Sequence, residues 1–249
     1  MTNTTGDAGA AGDQAGTQLS DAVSMQVIDD VAVVNFDDGK ANVISFDAVS
    51  GMHAALDAAT DAAKAVVIVG RDGKFSAGFD LPVMTGDDRD QAKELFGRGA
   101  GLCHRLYVHP QPVIAACTGH ALALGAIALM SCDVRYGADG PYKLGMTEVA
   151  IGMALPTFAV ELARERLSKR HFQVATQHAR AYGPAGARDA GYLDEVLASD
   201  DVVPHALAYA TEMAATLHPG AFAATRKNVR AASARTVAAC IEADIAGFG

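Results

Sequence analysis

Pro112-Val113-Ile114-Ala115-Ala116-Cys117, then Thr118-Gly119-His120, then the apolar block from Ala121 to Met130 with Gly125 inside it, is the stretch that decides the fold. The first run has the length of a buried strand, the next three residues read as a turn, and the block reads as a core helix. Ser131-Cys132-Asp133-Val134-Arg135-Tyr136 follows as a second strand with polar ends. Thr147-Glu148-Val149-Ala150-Ile151-Gly152 then places one carboxylate among apolar neighbours. A strand, a small-residue turn into a buried helix and a lone acid beyond it form a layout that can carry chemistry.

Upstream, Val23 to Ile28 and Val31 to Phe36 are β-rich runs around Asp29-Asp30, the pattern of a hairpin. A polar loop, Asp37-Asp38-Gly39-Lys40-Ala41-Asn42, precedes a helical spacing of Val49, Met52, Leu56 and Ala59 within Phe46 to Lys64. Ala65 to Gly70 is a buried strand, and the turn Arg71-Asp72-Gly73-Lys74 leads into Phe75-Ser76-Ala77-Gly78-Phe79-Asp80-Leu81. Asp87 to Val108 is a helix with Leu95, Phe96, Leu102 and Leu106 inward. This alternation predicts an α/β fold. After Pro156 the pattern is wholly helical: Thr157 to Leu167, Ser168 to Ala179 with Ser168 as N-cap, a piece starting near Pro184, Val202 to Leu217, and Pro219 to Ala246.

Composition narrows the function classes. A net charge of -9 argues against nucleic acid as a partner and offers no polybasic anchor to a membrane. No apolar run reaches the roughly 18 residues of a membrane helix. Cys103, Cys117, Cys132 and Cys240 lack CxxC or CxxH spacing, which fits buried thiols in a reducing cytoplasm and assigns no metal. Residues 1–20 hold Gly, Ala, Thr and Asp without a signal-peptide pattern and read as a disordered tail.

Two motifs together resemble the crotonase (enoyl-CoA hydratase/isomerase) superfamily. Phe75-Ser76-Ala77-Gly78-Phe79-Asp80-Leu81 is similar to its F-x-A-G-x-D-[IL] loop. Pro112 to Ala116, with Gly119, Ala121, Gly125 and Cys132-Asp133, is similar to its K-P-V-I-A-A-x-x-G-x-A-x-G-G-G…C-D segment. Asp38 to Asn42 is similar to the loop that opens its CoA site. The resemblance implies a ββα spiral core over 21–197 and a helical trimerisation region over 198–249, with trimers or hexamers. It implies an acyl-CoA substrate whose CoA is the only cofactor-like group. It also implies an oxyanion hole from the N–H groups of Phe79 and Leu124, and substrate contacts from Lys40, Ala41, Ser76, Ala77, Gly78 and Gly125. Two fixed amides of this kind stabilise a thioester enolate by about 3 kcal/mol per donor.

The departures point to the reaction. Hydratases of the family carry two glutamates; here the first position is Ile127, the second is Glu148, and the triple glycine is Ala123-Leu124-Gly125. Hydration needs water deprotonated and a proton delivered, and each positioned acid or base contributes about 10²–10⁴-fold. One acid suffices to move a proton between two carbons, so the expectation is a Δ3–Δ2 enoyl-CoA isomerase. The alternatives are a hydratase with another second acid, or an acyl-CoA-binding protein without activity. Glu148 could instead cap a helix or pair with Lys143 or Arg135. His120 reads as a hydrogen-bonded loop residue, and Asp80 and Asp133 as ties to backbone N–H groups. Arg226, Lys227 and Arg230 read as a solvated face or as a phosphate clamp for a neighbouring subunit's CoA, and Phe248 as a residue that could close a pocket.

Overall fold

A computed structural model describes residues 16–248. In chain order the elements are β1 (Thr17–Gln18), β2 (Val23–Ile28), β3 (Val31–Phe36), β4 (Val43–Ile44), α1 (Phe46–Ala62), β5 (Ala65–Gly70), β6 (Gly73–Ser76) and β7 (Gly78–Phe79). Then come α2 (Leu81–Met84), α3 (Arg89–Val108), β8 (Val113–Cys117), β9 (Gly119–Leu122), α4 (Leu124–Ser131), β10 (Val134–Ala138), β11 (Leu144–Gly145) and a 3-10 turn, Val149–Ile151. The rest is α5 (Thr157–Arg166), α6 (Lys169–Thr176), α7 (Pro184–Ala190), β12 (Glu195–Leu197), α8 (Ser199–Thr216) and α9 (Pro219–Ala246).

The main sheet has seven strands in the order β1-β2-β3-β5-β8-β10-β12. The first two pairings are antiparallel and the rest parallel. The hairpin at Asp29-Asp30 forms as expected, with both residues at positive φ, the geometry of a two-residue turn that matches strand twist. The central strands are buried on both sides, so their side chains alternate between two cores. Val67, Ile114 and Ala116 face α8, whose Val202, Ala206, Ala210 and Ala214 form one stripe at helical spacing. Val66, Ile68, Val113 and Ala115 face α1, α3 and α4.

Smaller sheets carry the crossovers: β11-β9-β6, and β4-β7. α4 is buried all round, the pattern of a helix at the centre of a protein. Arg166 closes its C-terminal end by donating to the carbonyls of Met130 (2.9 Å) and Cys132 (2.8 Å).

Three boundaries differ from expectation. The block from Ala121 does not begin as helix: Ala121 and Leu122 extend β9, pairing with β6 and β11, and α4 starts at Leu124. An all-apolar run has no period to separate these states. Ser131 ends α4 rather than opening the next strand. α8 begins three residues before Val202, so Pro204 lies inside it. Ser168 does hold the N-cap position of α6 as expected, though its side chain makes no cap bond. Residues 1–15 of the expected tail lie outside the described residues, whereas Thr17 and Gln18 pair with Met25 and Ser24.

The basic cluster on α9 is not a solvated face. Arg226 and Arg230 are both ion-paired with Asp133, and they donate to the carbonyls of His109 (2.6 Å) and Tyr107 (2.5 Å). Asp133 also accepts from Val113 N–H at 2.8 Å, the tie expected of it. These bonds latch α9 to the core and engage both guanidiniums with Asp133, while Lys227 stays exposed.

Candidate active site

The two motif loops interlock. Gly78 has φ +92, and a Cβ there would lie 2.9 Å from the Ala123 Cβ, 3.1 Å from the Leu122 carbonyl oxygen and 3.2 Å from the Leu124 nitrogen. A Cβ on Gly125 would lie 2.4 Å from the Ser76 carbonyl oxygen. Each loop thus carries the glycine that lets the other approach.

The first loop is set from below. Asn42 is fully buried, and its side-chain amide donates to the carbonyls of Phe36 (2.6 Å) and Phe75 (3.3 Å). Ser76 Oγ donates to the Asn42 carbonyl (2.7 Å) and accepts from Gly78 N–H (3.2 Å). β7 then pairs with β4, Ile44 opposite Phe79. Asp38 folds the supporting loop. Burial alone would raise its carboxyl, but backbone N–H donors at Val43, Asn42 and Lys40 outweigh that and hold it below its ordinary value.

The second loop turns at Ala123, which has φ 49 and ψ -127. Its N–H donates to the Gly145 carbonyl (3.0 Å), and its own carbonyl accepts from Ala126 (2.9 Å) and Ile127 (3.2 Å). Leu124 is the first residue of α4, where an amide has no acceptor within the helix. Its N–H is therefore available beside Gly78.

Phe79, Leu124, Ile127 and Glu148 line one cleft of about 360 Å³, closed further by Phe96, Phe158 and Phe248. The volume lies at the small end of ligand sites. Glu148 stands just ahead of the 3-10 turn, whose end is set by Gly152 at φ +82. It is 8% exposed, and its Oε2 is buried without a partner. Burial pushes its carboxyl up to about 7, against a smaller opposing pull from the Glu148 and Thr147 amides. Among the described residues no cation pairs with it, Lys143 included, and Arg135 is bound to Asp194 at 2.8 Å.

The other expected residues are placed as follows. Ser76, Gly78 and Gly125 are buried between the loops and do not line the cleft; Ala77 is exposed. Lys40 and Ala41 lie on the outer loop, where the Lys40 carbonyl accepts from Arg71 (2.5 Å) and Lys74 (3.0 Å). His120 accepts from Lys143 N–H at 3.0 Å, so it is hydrogen-bonded as expected, but it lies in β9, paired with Lys74, rather than in a loop. Asp80 makes no side-chain cap bond to α2.

Sequence reasoning missed Asp244. It lines the cleft from α9, and its carboxylate accepts from Thr157 N–H (3.1 Å), Thr157 Oγ (2.7 Å) and Phe158 N–H (3.0 Å). Pro156 holds the N-cap position of α5 and has no side chain to cap with, so Asp244 satisfies the first-turn amides from the far end of the chain, and no local pattern announces it. In sequence Phe96 reads only as an inward residue of its helix, and nothing singles out Phe158.

Residues 27–249 match the profile described as Enoyl-CoA hydratase/isomerase. A mouse protein, Enoyl-CoA delta isomerase 1, mitochondrial, is 30% identical over 177 residues, covering 71% of this chain and 61% of that protein. A putative enoyl-CoA hydratase of Thermus thermophilus is 36% identical over 140 residues, covering 54% of this chain and 55% of that protein. The chain thus spans about three fifths of these relatives' length. The crystal structure of an enoyl-CoA hydratase/isomerase family protein from Pseudomonas syringae superposes with a TM-score of 0.89 at 38% identity, over 93% of this chain and 100% of that one.

Proposed function

We propose that this chain, which belongs to the enoyl-CoA hydratase/isomerase family, shifts the double bond of a 3-enoyl-CoA to the 2-position with Glu148 as its one acid–base group. The thioester oxygen accepts from the N–H groups of Phe79 and Leu124. The Glu148 carboxylate removes a proton from the carbon next to the thioester. The electron pair moves onto the oxygen, giving a dienolate held by the two amides. Glu148 then returns the proton to the far carbon of the allylic unit, and the double bond settles beside the thioester. No atom is gained or lost, and no cofactor is needed beyond the CoA carried by the substrate.

The observation that carries this reading is the company Glu148 keeps. Ile127, 1% exposed, lines the same cleft where a hydratase would hold its other glutamate. The remaining carboxylate on the wall, Asp244, is committed to three donors and has little to offer as a second acid. An acid near 7 is matched to both halves of a proton shuttle at neutral pH. The family relatives also support the rival reading, hydration, since one is named a hydratase. We also propose that the chain works as a homotrimer or a dimer of trimers, with the exposed side of α9, where Val229 is 75% exposed, as a contact face.

Glu148→Gln tests the role. Loss of a positioned base removes about 10²–10⁴-fold from kcat, roughly 3–5 kcal/mol of barrier. Unchanged isomerase turnover in this variant would remove the proposal.

A further inference from the structure

We propose that Phe248 sets the length of the acyl chain and that the cleft takes an uncharged aliphatic chain; this rests on the acyl-CoA reading above. The inner wall is a cluster of phenylalanines around Phe96. Its ring centroid lies 6.1 Å from Phe79, 6.0 Å from Phe158 and 5.1 Å from Phe248.

Three of the four rings are fixed. Phe96 and Phe158 are buried in the main core. Phe79 is wedged against α3, where a Cβ on Gly99 would lie 2.5 Å from its ring. Phe248 is different. It follows α9 by two residues and is half-buried, and its N–H reaches the Ile245 carbonyl only at 3.4 Å. Besides Phe96, the guanidinium of Arg89 covers its ring at 5.4 Å from the centroid. It is the part of the wall that can be cut back or enlarged without opening the core.

The charge of the cleft selects the chain. Its lining contains Glu148 and Asp244 and no Lys or Arg. A chain ending in a carboxylate would meet two acids on this lining, with Arg89, which stands over the Phe248 ring, outside it, whereas an alkyl chain meets methionine, leucine and phenylalanine.

The test measures equilibrium binding of saturated acyl-CoAs of six, ten and fourteen carbons, and of a ten-carbon chain ending in a carboxylate. It is run on the wild type, Phe248→Ala, Phe248→Leu and Phe248→Trp, so that a preference is read without turnover. Phe248→Leu keeps an apolar contact on Phe96 and guards against a variant that fails to fold. Phe248→Ala is expected to raise the affinity for the longest chain relative to the shortest by at least about tenfold, with Phe248→Leu intermediate and Phe248→Trp moving it the other way. The carboxylate-ended chain is expected to bind the wild type at least about tenfold more weakly than its alkyl counterpart. Wild-type binding with a length profile unmoved by all three variants overturns the proposal and leaves the isomerase reading standing. Equal binding of the charged chain overturns the charge half. A wild type that binds no acyl-CoA overturns both readings.

Discussion

Glu148→Gln should make the protein more stable while disabling it. The folded protein holds this carboxyl near 7, against an ordinary 4.5, because the group is buried and no protein donor reaches Oε2. Protons therefore bind the folded state more tightly than the unfolded one, and ionising Glu148 costs stability. The penalty is absent below the unfolded value, grows as pH rises from about 4.5 to about 7, and is complete above that. At 1.36 kcal/mol per pH unit the full penalty is about 3 kcal/mol. Glutamine keeps the shape and carries no charge, so the variant should gain up to about 3 kcal/mol at about pH 8.5 and only a few tenths at about pH 4.5. In a chain of this size that is a rise in Tm of about 6–12 °C at the higher pH. Urea unfolding of both proteins at matched concentration across this pH range measures the gap. A gap that is zero at high pH, or the same at every pH, would refute the claim that Glu148 is ionised at the expense of folding.

Three further outcomes follow from the same geometry. The kcat/KM of the wild type should fall tenfold per pH unit below about 7, where Glu148 loses its ionised form; a profile flat down to about pH 5 would exclude Glu148 as the base. Gly78→Ala places a methyl group against Ala123 and Leu124 at a positive φ, so the two loops must part; kcat should drop about 10²-fold, read by steady-state assay beside an unchanged far-UV spectrum. Asp133→Ala strands the Arg226 and Arg230 guanidiniums in a mostly buried site and should cost about 3–5 kcal/mol in chemical unfolding.

The architecture was legible where one force dominated the sequence. Val66 to Val69 and Val113 to Cys117 are continuous apolar runs because parallel central strands are covered on both faces. Asp29-Asp30 marked its hairpin because few residues accept positive φ at both turn positions. β9 was hidden because Ala121 and Leu122 join an apolar block that continues into α4, and pairing with β6 and β11 rather than local preference makes them strand. At the site, Phe79, Leu124, Ile127 and Glu148 were each named by motif position, and all four line one cleft. Phe248 reads in sequence as a residue that could close a pocket, whereas Asp244 could be placed there only by the path of α9, which brings residues some ninety positions apart together at Thr157. The same path explains Arg226 and Arg230: a row of cations looks solvated in sequence, and its counter-charge lies at Asp133, far along the chain.

A backbone strain marks the site as well. Ala123 occupies a conformation that suits glycine, where the resembled motif has glycine. Its hydrogen bonds to Gly145, Ala126 and Ile127 hold it there, and the Leu124 N–H is aimed by that turn. Strain of this type costs about 1–3 kcal/mol and persists where surrounding contacts enforce it.

The most direct measurement offers the purified protein a 3-enoyl-CoA and, separately, the 2-enoyl-CoA of equal chain length, and follows products by mass and absorbance. The account predicts that the 3-enoyl thioester becomes its 2-enoyl isomer at constant mass while the 2-enoyl thioester gains no water. Formation of a 3-hydroxyacyl-CoA as the main product, or survival of both substrates untouched, would contradict it.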